Sequence, residues 1–190
     1  MVFFVWLDHS PFRDRFSPAP KSEQQQRAHD FEKYHGKTFT VVEIVDGDTI
    51  DIDVPDSRHS HTRIRLWGID APETKNPDRG VMYFGPQAAD FAGKLALGKQ
   101  VQVYLDQENR TRGKYGRLLA YVRLPDGRFL NEVLLAEGFA YADLRFRHSL
   151  YHKYEQLQAG ARRKQKGLWK DVSREQLPQW LTRERPDLLR

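Results

Sequence analysis

The sequence of 190 residues lacks cysteine altogether, has only two methionines and contains no long hydrophobic run. The absence of cysteine excludes disulfide bonds, thiolate zinc sites and cysteine nucleophiles. The longest uninterrupted apolar segment, residues 2–7, is far shorter than the ~20 residues that cross a bilayer. It also lacks the basic flank and the small-residue cleavage site of a secretory signal. We interpret it as either a sticky N-terminal segment or the remainder of a longer export or anchor segment.

The chain also lacks a large excess of either charge, because 31 basic and 26 acidic residues leave a formal net charge of only +5. This excess permits a polyanionic partner without requiring one. Apolar residues make up 39% and aromatic residues 12% of the chain, which is too much for a disordered protein and too little for a membrane protein. The length suits one domain with terminal extensions.

Breaks in the hydrophobic pattern divide the chain into three parts. Prolines and a glutamine run interrupt residues 1–36, which we interpret as an N-terminal extension. Residues 37–172 carry the sustained patterns and are predicted to form the folded domain. Residues 173–190 are predicted to be a C-terminal extension with one short helix, which ends before Pro186.

The middle part begins with strands, because apolar and charged residues alternate there. Five strands are predicted, at 38–45, 50–54, 63–66, 100–105 and 117–124. Three helices are predicted, at 86–96, 132–137 and 150–166, with Asn131 and Ser149 as caps of the second and third. The order β-β-β-α-β-β-α-α predicts an α+β, mainly β fold: a five-stranded OB-type barrel with three helices.

The segment Asp46-Gly47-Asp48-Thr49 joins the first two strands and by itself is typical of a hairpin turn. An EF-hand calcium loop is excluded by spacing, because the sixth position counted from Asp46 is Asp51 rather than glycine. Any role of Asp48 in metal binding therefore lies outside such a loop.

Two further motifs offer groups that suit phosphodiester chemistry. Asp70-Ala71-Pro72-Glu73-Thr74 directly follows the strand that carries Arg65. It is either a solvated turn or part of a catalytic site, since guanidinium groups bind phosphate oxygens and carboxylates bind a hard cation or activate water. Lys114-Tyr115-Gly116-Arg117 is either a hairpin turn with surface cations or a nucleotide-binding cluster, in which cations meet phosphate and the ring meets the base.

Other candidate motifs do not support a function. His148 and His152 lie four apart on the third predicted helix, but no third ligand or adjacent glutamate supports a zinc site. The sequence contains no nucleophile-elbow, Walker-type or dinucleotide-binding glycine pattern.

In this order, the three motifs resemble the staphylococcal nuclease (thermonuclease) family. The similarity runs from about Thr38 to Trp169 and includes the helix start Tyr83-Phe84-Gly85-Pro86 and the final Gly167-Leu168-Trp169. The resemblance implies an OB-fold nuclease domain over residues 37–172 that hydrolyses DNA and RNA with calcium. It also implies products with 3′-phosphate and 5′-hydroxyl ends.

The resemblance assigns a role to each matching residue. The implied calcium ligands are Asp48, Asp70 and the backbone carbonyl of Ala71, which falls where the family commonly has threonine. The implied catalytic residues are Glu73, which activates or orients the attacking water, and the two phosphate-gripping arginines Arg65 and Arg117.

Substrate-binding residues follow from the same resemblance. Arg79, Lys114 and Tyr115 match positions near the terminal phosphate of a bound nucleotide. The aromatic pair that lines the base pocket in the family falls near Leu144 and Phe146, so one tyrosine is lost and the resemblance implies no base preference.

The alternative is a non-catalytic OB-type module that binds single-stranded nucleic acid or a protein surface. Such a module needs only the basic and aromatic groups, and it leaves Asp48, Asp70 and Glu73 unexplained because carboxylates repel a polyanion. The nuclease interpretation implies calcium as the ion, DNA and RNA as substrates, no small-molecule cofactor, no transmembrane segment and a monomeric chain. The family and the apolar segment at residues 2–7 together suggest a secreted or membrane-anchored location outside the cytoplasm.

Overall fold

A closed barrel of five strands forms the centre of the protein, described here from a computed structural model over residues 22–74, 80–186 and 188. The strands in chain order are β1 (Lys37–Asp46), β2 (Thr49–Ile52), β3 (Thr62–Leu66), β4 (Ile69–Asp70), β5 (Gln100–Tyr104), β6 (Leu118–Arg123) and β7 (Tyr141–Ala142). The barrel order is β1-β2-β3-β6-β5, and only the β3–β6 pair is parallel. The predicted five-stranded barrel is confirmed.

In the described part of the chain, the barrel is surrounded or extended by five α-helices: α1 (Glu23–Tyr34), α2 (Gly85–Ala96), α3 (Leu130–Ala136), α4 (Tyr151–Arg163) and α5 (Gln179–Glu184). Two short 3₁₀ turns, Gly167–Lys170 and Arg174–Gln176, lie between α4 and α5. Helix α5 confirms the short helix predicted near the C-terminus. The boundaries of the three predicted parts, 1–36, 37–172 and 173–190, stay a prediction.

Helix α1 lies within the predicted N-terminal extension and was not expected. It begins with a capping box, in which Ser22 and Gln25 exchange hydrogen bonds between side chain and backbone. Tyr34 lies in the barrel core and its hydroxyl shares a hydrogen bond with Thr62 on β3. The fully buried Asp30 accepts hydrogen bonds from Thr111 and Arg112 on the loop before β6. The interactions that hold the helix are partly polar, so hydrophobic periodicity did not reveal them.

The two predicted helix caps are wrong. Asn131 is the second residue of α3 rather than its cap. Its side chain accepts a hydrogen bond from the Val122 amide and donates one to the Trp67 carbonyl. The Ser149 hydroxyl donates to Asp106 instead of capping α4, which begins at Tyr151. In both cases a tertiary hydrogen bond replaces the local one.

Small residues let α2 lie close to the barrel and to the loop after β1. Ala88, Ala92 and Ala96 form the fully buried stripe of α2, and their small side chains let the helix lie close to the strands. A side chain at Gly47 would place its Cβ 2.7 Å from the Ala71 Cβ and 2.8 Å from the Ala88 Cβ. The close packing of this loop against Ala71 and Ala88 therefore requires glycine at position 47.

A second, smaller core joins the chain beyond α4 to the barrel. Strand β4 pairs with β7, with Asp70 opposite Tyr141. This core contains Tyr141, Ala161, Leu168, Trp169, Leu177, Trp180, Leu181 and Leu188. Among the described residues, no helix is long and apolar enough to cross a membrane. The apolar segment at residues 2–7 and the candidate Arg79 lie outside the described residues.

Candidate active site

Strand register brings the three sequence motifs to one place. Arg65 in the middle of the β2–β3–β6 sheet is paired with Thr49 on β2 and with Leu119 on β6. Asp48 directly precedes Thr49, and Arg117 directly precedes β6. The chain then turns at Gly68 and enters β4 at Ile69, so that Asp70 returns to the same edge of the barrel.

The centre of the site is one guanidinium held between two carboxylates. Arg65 forms an ion pair with Asp48 through Nη1, and its Nη2 lies 2.6 Å from Asp70 Oδ1. The Ala71 amide donates a hydrogen bond of 2.5 Å to Asp48 Oδ2, and the Thr49 hydroxyl donates one of 3.0 Å to Asp48 Oδ1. The predicted residues Asp48, Arg65, Asp70 and Ala71 therefore meet in one cluster.

Burial and mutual repulsion shape the charge state of this cluster. Burial, together with the negative charge of Asp46, raises the pKa of Asp48 to about 6 even though Arg65 opposes the shift. Burial and the charge of Asp48 also raise the pKa of Asp70. Burial alone would lower the pKa of Arg65, but the two carboxylates raise it, so this guanidinium stays charged.

Glu73 lies at the mouth of the cluster and is exposed to solvent. Partial burial of its carboxyl group and the charges of Asp48 and Asp70 raise its pKa, although the positive charge of nearby Arg65 lowers it. The Glu73 carbonyl accepts a hydrogen bond of 3.0 Å from the Met82 amide. A Cβ at Gly85 would lie 2.6 Å from this carbonyl oxygen, so the first residue of α2 must be glycine.

The donor set of the cluster fits a hard divalent cation. Four carboxylates, from Asp46, Asp48, Asp70 and Asp143, act on Arg65, and Glu73 interacts with Asp48 and Asp70. Carboxylate oxygens are the ligands that calcium and magnesium prefer, and a divalent ion would offset the repulsion that helps to raise the pKa values of Asp48, Asp70 and Glu73. Within the described ranges, no three His, Asp or Glu side chains already converge as a metal cluster. Two carboxylates do converge, on Arg65.

The predicted basic and aromatic cluster lies on the loop before β6. Tyr115 is 76% exposed, and the charged ends of Lys114 and Arg117 lie 5.6 Å and 5.8 Å from the centre of its ring. The positive charge of Arg117 also lowers the pKa of Glu73, so the basic loop and the acidic cluster interact electrostatically. Arg63, Tyr115 and Arg117 line a groove of about 830 Å³.

Helix α1 fixes this loop through an arginine that sequence reasoning missed. Arg112 makes a bidentate pair with Asp30, at 2.8 Å and 2.6 Å, and also pairs with Asp56. Its Nη1 donates a hydrogen bond of 3.0 Å to the carbonyl of Gly116, the residue before Arg117. Asp30 and Arg112 are 82 positions apart, so no local pattern could have indicated their contact.

The aromatic candidate Phe146 borders the cluster. It is 41% exposed and stacks on Trp67, with ring centres 5.9 Å apart. Leu144, which falls near the position of the second aromatic residue, packs against the core. Arg145 lies between them in sequence, and its Nη2 is 3.5 Å from Asp70 Oδ1.

Trp180 is the second residue that sequence reasoning missed. Its indole N–H donates a hydrogen bond of 2.7 Å to Asp70 Oδ2, the oxygen that Arg65 leaves free. Asp70 and Trp180 are 110 positions apart, and no sequence signal links them.

The barrel gathers carboxylates and guanidinium groups at one edge, beside an exposed basic loop. These are the groups that enzymes use to hydrolyse phosphodiester bonds. The profile of the family described as staphylococcal nuclease homologue matches residues 63–171. The chain belongs to this family, as its motifs predicted.

Individual relatives agree with the profile. The thermonuclease of Staphylococcus hyicus is 34% identical over 134 residues, which cover 70% of this chain and 76% of the relative. The thermonuclease of Staphylococcus intermedius is 38% identical over 135 residues, 70% of this chain and 77% of the relative. An uncharacterized endonuclease of Escherichia coli is 36% identical over 157 residues, 80% of this chain and 86% of the relative. The roles assigned to individual residues stay predictions.

Proposed function

We propose that this nuclease requires calcium, hydrolyses phosphodiester bonds in both DNA and RNA, and leaves 3′-phosphate and 5′-hydroxyl ends. The observation that carries the proposal is the pairing of a buried carboxylate, Asp48, and a partly buried one, Asp70, on a single arginine. A fold gains little by gathering like charges, whereas a metal-dependent hydrolase needs them together. The relatives named thermonuclease and endonuclease support the same reaction class.

Asp48, Asp70 and the carbonyl of Ala71 would hold the ion. When bound, calcium supplies positive charge and open coordination positions for a phosphate oxygen and a water molecule. Asp48 is fixed for this role by hydrogen bonds from Thr49 and the Ala71 amide.

Glu73 takes or orients the proton of the attacking water. Its raised pKa makes it a better base than an ordinary glutamate, and its exposed position lets water reach it. The attack is in line with the leaving 5′ oxygen. The P–O bond to that oxygen breaks, the phosphate stays on the 3′ side, and a proton goes to the 5′ oxygen.

Arg65 and Arg117 stabilise the negative charge that grows on the equatorial phosphate oxygens. Arg65 contacts both metal-ligand carboxylates here, so its guanidinium lies within reach of any phosphate that binds beside them. Arg117 directly precedes β6, and its charge acts on Glu73. Planar guanidinium groups suit this task because each can donate two parallel hydrogen bonds to one phosphate.

Lys114, Tyr115 and Phe146 would bind the rest of the nucleotide, and we extend the same proposal to Arg79. An exposed ring accepts any base by stacking, and lysine provides a point charge for a phosphate. Recognition of the backbone without base-specific hydrogen bonds is consistent with the proposed activity on both DNA and RNA. We also propose that one chain is sufficient for activity.

The test is digestion of a plasmid and of a structured RNA with calcium, with magnesium and with a chelator, followed by analysis of the product ends. We expect cleavage in calcium and none in chelator, with phosphate on the 3′ ends. The matched control for an Asp48→Asn variant is Asp126→Asn, an exposed carboxylate outside the site. Binding of nucleic acid without cleavage in any calcium condition would identify a non-catalytic binding module instead.

A further inference from the structure

The C-terminal part of the chain reaches into the candidate metal site through one side chain. Trp180 lies on α5, outside the segment that matches the nuclease family profile. Its indole N–H donates a hydrogen bond of 2.7 Å to Asp70 Oδ2. The other oxygen, Asp70 Oδ1, faces Arg65 at 2.6 Å. The two oxygens of one carboxylate therefore have different partners.

The indole is held rigidly in this position. Trp180 is only 8% exposed and packs in the small core with Leu177 and Leu181. The guanidinium of Arg145 lies over the indole, 4.4 Å from the ring centre. Arg145 is itself fixed by a bidentate pair with Asp143, with both distances 2.8 Å.

We propose that Trp180 is a positioning residue of the calcium site, which holds Oδ2 and so orients Asp70 with Oδ1 toward Arg65 and the proposed place of the ion. The inference rests on the calcium-dependent function proposed above. Partners that hydrogen-bond to a ligating carboxylate restrict its rotation, and their removal typically costs 10–100-fold in metal affinity. The C-terminal helix is accordingly part of the active site rather than an appendage to the barrel.

The test compares Trp180→Phe with Trp169→Phe. Both residues belong to the same small core, but the Trp169 indole N–H has no hydrogen-bond partner among the described residues. Both variants lose a similar amount of packing, and only Trp180→Phe loses a bond to Asp70. Calcium affinity is measured by calorimetry and by the calcium-induced rise in Tm, after circular dichroism has shown that each variant is folded.

We expect the calcium Kd of Trp180→Phe to rise by about tenfold or more, and that of Trp169→Phe to stay within about threefold of wild type. In cleavage assays, Trp180→Phe should need more calcium for half-maximal rate, while kcat at saturating calcium is largely kept. Equal affinities of Trp180→Phe and wild type would overturn the inference and leave the calcium-dependent function intact. An equal loss in both variants would assign the effect to packing and would also overturn it. Failure of the wild type to bind calcium would overturn both proposals.

A measurement on the wild type covers the case in which Trp180→Phe does not fold. In ¹⁵N-labelled protein, the Trp180 indole N–H should exchange slowly with solvent and should shift during a calcium titration with the calorimetric Kd. An indole signal that exchanges freely, or that does not respond to calcium, would overturn the proposed role.

Discussion

Individual residues of the site combine strong attraction with strong repulsion. Arg65 pairs with Asp48 and Asp70, yet both carboxylates have raised pKa values because burial and their neighbours' charges outweigh this attraction. The fold alone therefore gains little from ionised carboxylates at these positions, which suits residues gathered for a cation.

The first residue-scale prediction concerns the two cations of the basic loop. Arg117→Lys should lower kcat by two to three orders of magnitude, because loss of one oriented donor to a transition-state oxyanion costs ~3–4 kcal/mol. Lys114→Ala should mainly raise KM, since this exposed side chain would contact a phosphate that does not react. Steady-state kinetics on a defined oligonucleotide measure both. An Arg117→Lys variant with half of the wild-type kcat would contradict the role of Arg117.

The second residue-scale prediction concerns Asp48 in the absence of metal. Asp48→Asn keeps the side-chain shape and removes a charge that its surroundings disfavour, so in chelator the variant should be at least as stable as wild type at pH 7. Excess calcium should reverse the order. A hundredfold excess over Kd stabilises the wild type by about 2.7 kcal/mol and the variant by much less. Thermal melts in chelator and in calcium make the comparison, and a clear loss of stability in chelator would instead make Asp48 a structural turn residue.

The same carboxylate gives a prediction on pH. Its folded-state pKa of about 6 exceeds that of the unfolded chain, so folding favours the protonated form. The stability that protonation contributes is complete below about pH 4 and is lost as the pH rises through about 6. In chelator, the advantage of Asp48→Asn over wild type should therefore shrink as the pH falls from 7 to 4. Urea unfolding at several pH values measures this difference, and an advantage that grows toward low pH would contradict the sign.

At the scale of elements, helix α1 acts as a brace for the loop that carries Arg117. Asp30 is fully buried and is satisfied by Arg112, Thr111 and Gln26. Arg112 continues the connection to the carbonyl of Gly116. The loop geometry thus depends on a helix about 80 residues earlier in the chain.

Removing this brace should be costly. Asp30→Ala leaves the guanidinium of Arg112 without its main partner, and breaking a buried pair in this way costs about 3–5 kcal/mol of unfolding free energy. Asp126→Ala breaks the exposed pair with Arg128, which solvent screens, and should cost far less. Urea denaturation compares the two variants. Equal losses would show that the Asp30–Arg112 pair does not hold α1 to the barrel.

Sequence reasoning succeeded for elements whose information is local. Alternation at β2 and β3 predicted strands, and the family motifs indicated Asp48, Arg65 and Asp70 as one site. Helix α1 was missed because it is anchored by a polar contact between distant positions. The contact of Trp180 with Asp70 was missed because it depends on how the chain beyond α4 folds back, which no short pattern records.

At the scale of the whole molecule, the chain has a modest positive net charge and its candidate site is locally negative. The chain carries a net charge of +5, while the carboxylates around Arg65 exceed the nearby guanidinium groups. A polyanionic substrate is therefore attracted by the net charge of the chain and repelled by the carboxylates of the site. Calcium would remove this repulsion and complete the chemistry in the same event.

The most direct test of this account is the calcium dependence of cleavage and of Tm, measured on the same wild-type sample. Rates on a labelled oligonucleotide and melting temperatures are recorded over one calcium series that begins in chelator. The account predicts no cleavage in chelator and a rate that rises over the calcium range in which Tm rises, with both responses lost in Asp48→Asn. Cleavage in chelator, or an Asp48→Asn variant as active as wild type, would contradict a calcium site built on Asp48.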